Sequence, residues 1–228
     1  MSVRKREMVP GIYYPESDGQ PMGETETHIQ LMIDLRSALQ NYFRDERNVY
    51  VGSNMLLYYV EGNPKKVLAP DVFVVRGINK HQRRIYKLWE EGRPPGLVIE
   101  LSSRKTWRED LHLKWRLYEQ MGVKEYFIFD PEYDYLPEPL VGYRLKNGQY
   151  VAMKIEGGRA RSDCLGMELV DTGKSLRLLD LKTNKFLLTP MEEAEAHRAE
   201  AEGRQRAETE VAQLRQEIER LKKAKGKK

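Results

Sequence analysis

Gly96-Leu97-Val98-Ile99-Glu100-Leu101-Ser102-Ser103 and, upstream of it, Ala69-Pro70-Asp71-Val72-Phe73-Val74-Val75 are two short apolar runs that each carry one acid. Aliphatic and β-branched residues bounded by Pro or Gly predict interior strands. A carboxylate does not belong in such a strand by default. Burying it ionised costs several kcal/mol, so it needs a cation, a hydrogen-bonding partner or a raised pKa. Two acids on neighbouring strands meet that need together by holding one divalent metal, or else each pairs with a buried lysine as structure alone. Side chains alternate along a strand, so Val98, Glu100 and Ser102 share one face, and Leu97, Ile99 and Leu101 share the other.

The elements on either side supply candidate partners. Ser102 to Thr106 reads as a loop into a helix from Trp107 to Met121, which Gly122 ends. Asp110, Lys114 and Tyr118 recur every fourth residue and form one stripe. Two readings are open for it: a surface ion pair worth a few tenths of a kcal/mol, or a stripe overhanging the carboxylates, since a helix leaving the Glu100 strand must pack back on the sheet. Upstream, Ile29, Met32, Ile33, Leu35, Leu39 and Phe43 give a helical period over Glu24 to Phe43, opened by Thr25 or Thr27. Glu24 and His28 share a face there, as a surface pair or as helpers of the acids.

Pro70-Asp71 followed by Val98-Ile99-Glu100-Leu101-Ser102 resembles the PD-(D/E)XK nuclease superfamily. With the later run from Asp110 through Lys114, Tyr118, Gly122 and Tyr126 to Asp130-Pro131, the chain is similar to the Uma-type restriction endonucleases over Glu24 to Pro131. The ordered set, rather than any single motif, carries the resemblance. One departure stands out. The superfamily places a lysine two residues after the second acid, where this chain has Ser102; in Uma-type proteins the following helix supplies it, here as Lys114. The resemblance implies a restriction-endonuclease-like α/β (α+β) core, a mixed central sheet flanked by helices. It further implies Mg²⁺, with Mn²⁺ as substitute, held by Asp71, Glu100 and the backbone carbonyl of Leu101. Lys114 is then the catalytic cation, His28 and Tyr118 are helpers, and the substrate is double-stranded DNA cut endonucleolytically by a homodimer.

In the rest of the chain, Val49–Val51 and Met55–Val60 read as strands parted by a hairpin-type turn at Gly52-Ser53-Asn54. A loop from Glu61 to Lys66 leads into the Asp71 strand. Asn79 to Pro95 is basic and aromatic. It reads either as a solvated helix with Ile85, Leu88 and Trp89 packed inward or as a phosphate-contacting flank of the active cleft. Glu125–Phe129 is a further buried strand stopped by Asp130-Pro131. Val141–Leu145 and Gln149–Ile155 form a hairpin about Lys146-Asn147-Gly148. Strands at Met167–Val170, Leu176–Asp180 and Lys185–Leu188 extend the sheet or make a dimer surface. Cys164 reads as a small buried residue rather than a nucleophile.

Three segments result: an irregular arm over 1–23, a nuclease-like domain over 24–189, and a charged helical tail over 190–228. In the tail Val211, Leu214, Ile218 and Leu221 repeat over about two heptads, a seam that fades upstream and reads either as a two-stranded coiled coil or as a frayed single helix. Its last nine residues carry six basic groups and no acid, a soluble end or a source of nonspecific DNA affinity.

Composition bounds the class. With 39 basic and 35 acidic residues the net charge is only +4, so a nucleic acid partner rests on local placement of charge. One cysteine excludes an intramolecular disulfide and any cysteine-rich zinc site. The polar start and the lack of a long uncharged apolar run point to a cytoplasmic protein that does not enter membranes. Two functions follow: a metal-dependent DNA endonuclease, or a catalytically inactive nuclease-fold module binding DNA or a protein partner through its tail.

Overall fold

A computed structural model describes residues 12–17, 19 and 23–225, without the side chains of Glu217 and 220–225. Most of the arm expected over 1–23, and the basic groups of the last nine residues, lie outside what is described. Two compact units are present, Met1–Leu187 and Leu188–Lys228. The first opens with helix α1 (Glu26–Tyr42) and strands β1 (Val49–Gly52), β2 (Leu57–Tyr58), β3 (Val67–Leu68), β4 (Val72–Arg76) and β5 (Tyr86–Lys87). Helix α2 (Leu88–Glu91), strand β6 (Leu97–Leu101) and a helical stretch follow. That stretch comprises α3 (Trp107–Glu109), a π-helical turn (Asp110–Lys114) and α4 (Trp115–Met121). Then come β7 (Glu125–Phe129), β8 (Leu140–Lys146), β9 (Gln149–Ala152), β10 (Arg159–Ser162), β11 (Met167–Asp171), β12 (Leu176–Asp180) and β13 (Lys185–Phe186). The second unit is helix α5 (Pro190–Lys225). Among the described residues no helix is long and apolar enough to cross a membrane.

The central sheet is mixed, in the order β1-β4-β6-β7-β8-β9. β6 and β7 run parallel, joined by the Trp107–Met121 crossover, and the other pairs are antiparallel. Both of its faces are covered, which is why β6 and β7 are buried along their whole length. Leu97, Ile99, Leu101, Phe127 and Phe129 pack against α1 and against a separate four-stranded sheet, β10-β11-β12-β13. Val98, Tyr126 and Ile128 pack on the other face with Tyr118 of α4 and the small β3-β2-β5 sheet. Glu100 follows Val98 in the alternation, so it projects toward the crossover helix.

The structure corrects several expectations. Asp71 sits just before β4 rather than within it. β1 and β2 do not form a hairpin: β1 pairs with β4, whereas β2 pairs with β3 and, in parallel, with β5. Asn54 instead donates its backbone N–H to the Pro70 carbonyl at 2.9 Å, so the 52–54 turn ties back beside Asp71. Asn79–Pro95 is not one helix; it is extended to Lys87, with a single helical turn ended by Gly92 at φ 66°. Arg83, paired with Glu91 at 2.6 Å, holds that shape. On α1, Ile29 and Ile33 are exposed, and the buried row is His28, Leu31, Leu35, Ala38 and Leu39. Beyond the β8–β9 hairpin, whose turn residues Asn147 and Gly148 take φ 52° and 80° as such hairpins require, the chain builds its own sheet rather than lengthening the central one.

Candidate active site

The site is assembled where three elements meet at the carboxyl end of β6. Pro70 delivers Asp71 to the edge of that strand, and the Leu101 backbone N–H donates to Asp71 Oδ2 at 2.7 Å. The Asp71 N–H lies 3.4 Å from Glu100 Oε2, so the two carboxylates adjoin. From the crossover helix, Lys114 Nζ stands 3.1 Å from Glu100 Oε2 and 2.8 Å from Asp110 Oδ1. Tyr118 donates its hydroxyl to Glu100 Oε1 at 2.5 Å. From α1, whose N-cap is Thr25, His28 Nε2 meets Asp71 Oδ1 at 3.2 Å, with Glu24 3.6 Å from its other ring nitrogen.

All the residues named as candidates from the sequence therefore come together: Asp71, Glu100, Leu101 and Lys114, with His28 and Tyr118. Asp110 is the member that sequence reasoning left in the stripe without a role. Fully buried, it takes the Ser102 hydroxyl on Oδ2 at 2.9 Å and Lys114 on Oδ1. Ser102, at the position of the usual superfamily lysine, thus holds the acid that positions the lysine arriving from the helix. The π-helical turn spans this segment, and such a turn leaves backbone groups out of α-helical register. Tyr126 donates its hydroxyl to the Asp110 carbonyl at 2.9 Å and satisfies it.

Solvent reaches the cluster at Asp71 and Lys114, whose side chains are 16% and 12% exposed, whereas Glu100 is wholly buried. Burial pushes the Glu100 carboxyl up to about 8, with the charges of Asp71 and Asp110 adding to the rise and Lys114 and Tyr118 opposing it. Burial also acts against ionised Asp71, but the His28 hydrogen bond and charge, Lys114 and the Leu101 N–H outweigh it and lower its pKa. Burial disfavours charge on Lys114; Glu100, Asp110 and Asp71 nonetheless keep it protonated above the ordinary lysine range. His28, likewise opposed by burial, is raised by Asp71 and Glu24.

The donor chemistry fits a hard divalent cation. Asp71 stands at the opening with Glu100 buried beside it, and a bound cation would offset the cost of ionising Glu100 there. Among the described residues no three His, Cys, Asp or Glu side chains form a metal cage. Cys164 takes no part: half-buried under the second sheet, it donates to the Gly96 carbonyl at 3.2 Å, and burial pushes its thiol up to about 12.

Comparison with known proteins gives a family match over residues 10–172, to Uma2, described as "putative restriction endonuclease". A search of curated proteins found no match. Among solved structures the chain is similar to a crystal structure titled as a putative nuclease belonging to DUF820 from Anabaena variabilis. The identity is 13% and the TM-score 0.46, over 64% of this chain and 76% of that one.

Proposed function

Because the chain belongs to the Uma2 restriction endonuclease family, we propose that it is a divalent-metal-dependent endonuclease hydrolysing phosphodiester bonds of DNA. The observation that carries this reading is the ion pair of Lys114 with Glu100 at 3.1 Å, a lysine set against the second acid from the helix although Ser102 occupies its usual place.

In this mechanism Asp71, Glu100 and the Leu101 carbonyl would hold Mg²⁺, or Mn²⁺ in its stead. When bound, the ion neutralises phosphate charge and eases deprotonation of the attacking water. Lys114 orients that water and offsets the charge that develops on the phosphate. Asp110 keeps the ammonium protonated and in place, and Tyr118 fixes the rotamer of Glu100. His28 orients Asp71 through Oδ1, leaving the carboxylate directed at the opening.

The tail fits a parallel dimer. Val211 and Ile218 fall at a positions and Leu214 and Leu221 at d, the pattern that favours two strands, with Glu210 at g facing Arg215 at e of a second copy. Val211, Leu214 and Ile218 are about half exposed within the single chain. A homodimer then brings two sites to the two strands of a duplex in the cytoplasm.

Glu100→Gln tests the reading against that of an inactive binding module. Supercoiled plasmid is incubated with either protein in Mg²⁺, Mn²⁺ or EDTA, and duplex binding and the Mg²⁺-induced shift in melting temperature are followed in parallel. The expected result is metal-dependent nicking and a metal-induced shift by wild type, both lost in the variant, with binding retained. Equal cutting by both proteins refutes it.

A further inference from the structure

Away from the acid cluster, β1 is an edge strand of the central sheet, and its residues form part of the wall of a cleft of ≈ 680 Å³. Arg36 and Gln40 of α1, and Arg44 just past its end, line the same cleft, together with the 80–84 segment. No acidic residue lines it among the described residues, whereas Arg36, Arg44, Lys80, Arg83 and Arg84 all do.

These cations divide into two groups. Lys80 and Arg83 brace the walls. The Lys80 ammonium donates to the Phe43 and Arg44 carbonyls at the end of α1, a placement favoured at a helix C-terminus. Arg83 is bidentate to Glu91 at 2.6 and 2.8 Å, with its guanidinium 4.4 Å from the Tyr50 ring centroid. The other group is unspent. Arg36 has no acidic partner among the described residues. Arg44 reaches exposed Asp45 and the Asn41 side-chain oxygen, each at a long 3.5 Å, and Arg84 meets Glu16 in an exposed pair. Pairs of that kind contribute little and exchange readily for a phosphate.

Two links connect the cleft to the acids. Its Gly52–Ser53 end is tied beside Pro70-Asp71 through the Asn54 hydrogen bond. The four-residue ridge of α1 that starts at His28 continues through Met32, Arg36 and Gln40 and winds into the cleft, which Arg44 also lines from the turn that follows. Gln40 Nε2 donates to the Val51 carbonyl at 3.3 Å, which blocks an added peptide strand from pairing there.

We propose that this cleft is a phosphate-binding track for the DNA backbone, engaging it at a distance from the scissile phosphate. The inference rests on the nuclease reading above. Arg36 lies eight residues from His28, about 12 Å along the helix, equal to about three to four nucleotides of one duplex strand.

The test is fluorescence anisotropy of a labelled duplex over a salt series, in EDTA and in Ca²⁺. It compares wild type with Arg36→Ala/Arg44→Ala and with Lys154→Ala/Arg161→Ala, a control removing two exposed cations outside the cleft. The cleft variant should keep its melting temperature, bind more weakly and lose about 2 from the slope of log affinity against log salt, one for each phosphate contact; the control should match wild type. If wild type binds and the cleft variant binds equally, or the control falls as far, the track is refuted and the nuclease reading stands. If wild type binds no duplex at the lowest salt, both fall.

Discussion

Lys114→Ala removes the one ammonium that faces two buried carboxylates. Glu100 and Asp110 are each fully buried, and solvent reaches the cluster only over the 12% exposed Lys114 side chain and Asp71, so water entering there offsets little of the lost charge. Removing one partner of a buried pair costs about 3–5 kcal/mol. The lower end applies here, because Glu100 is already pushed up to about 8 by burial and escapes the penalty by binding a proton. Asp110 keeps only the Ser102 hydroxyl as a side-chain partner. A loss of about 3 kcal/mol corresponds to a fall of roughly 6–12 °C in Tm for a domain of this size. The pH dependence has a definite sign. Without Lys114 the Glu100 carboxyl, already raised by burial, loses the charge that opposed the rise, so the native state binds more protons than the unfolded one and stability declines as pH rises. The deficit should therefore be larger at pH 8 than at pH 5, and adding Asp110→Asn should recover part of it. Thermal melts of the metal-free proteins across that range are the assay. A Tm within 2 °C of wild type at pH 8, under about 1 kcal/mol for a domain of this size, would refute the reasoning that Lys114 neutralises buried acids.

Three further outcomes follow from the same geometry. Tyr118→Phe deletes the 2.5 Å hydrogen bond to Glu100 and should cost about 1–3 kcal/mol in urea unfolding, the range for a buried acceptor that loses its donor. Asp180 is buried, yet the Lys182 N–H and the Thr183 and Tyr42 hydroxyls hold it below the usual carboxylate range. Its contribution is present above the unfolded pKa and lost as pH falls through the folded one, so Asp180→Asn should flatten the acid limb of stability below about pH 4. Leu214→Lys places a charge in the proposed coiled-coil seam and should halve the mass measured by light scattering; a monomeric wild type would sink that part of the account.

Local physics made much of the fold legible. The two acid-bearing runs are bounded by Pro and Gly, Thr25 caps α1, Gly122 closes α4 at φ 81°, and Asn147-Gly148 turns the β8–β9 hairpin. Each of these signals lies within a few residues of what it governs. What escaped depends on distant partners. β1 finds β4 about twenty residues later instead of its neighbour β2, because pairing in the central sheet buries Val49 and Val51 against α1. Ile29 and Ile33 fit the helical period as well as Leu31 and Leu35 do, and only the position of the sheet decides which row is buried. The basic 79–95 segment has the composition of a solvated helix, but Arg83 and Glu91 pair across its turn and hold it extended.

At the site, the acids announced themselves as misplaced charges in apolar strands, and the Asp110-Lys114-Tyr118 stripe was visible in the spacing. That Asp110 is buried under Lys114 was not, since an i, i+4 ion pair reads the same on a wet surface. The π-helical turn that sets its carbonyl against Tyr126 leaves no trace in composition.

The most direct test of the central claim is the rate at which Lys114→Ala nicks supercoiled plasmid, measured beside wild type in Mg²⁺, in Mn²⁺ and in EDTA, at a temperature where both proteins are folded. The account predicts metal-dependent nicking by wild type and a fall of about 10²–10⁴-fold in the variant, the usual worth of a positioned proton-handling group. Nicking by folded Lys114→Ala at the wild-type rate, or undiminished nicking by wild type in EDTA, would contradict it.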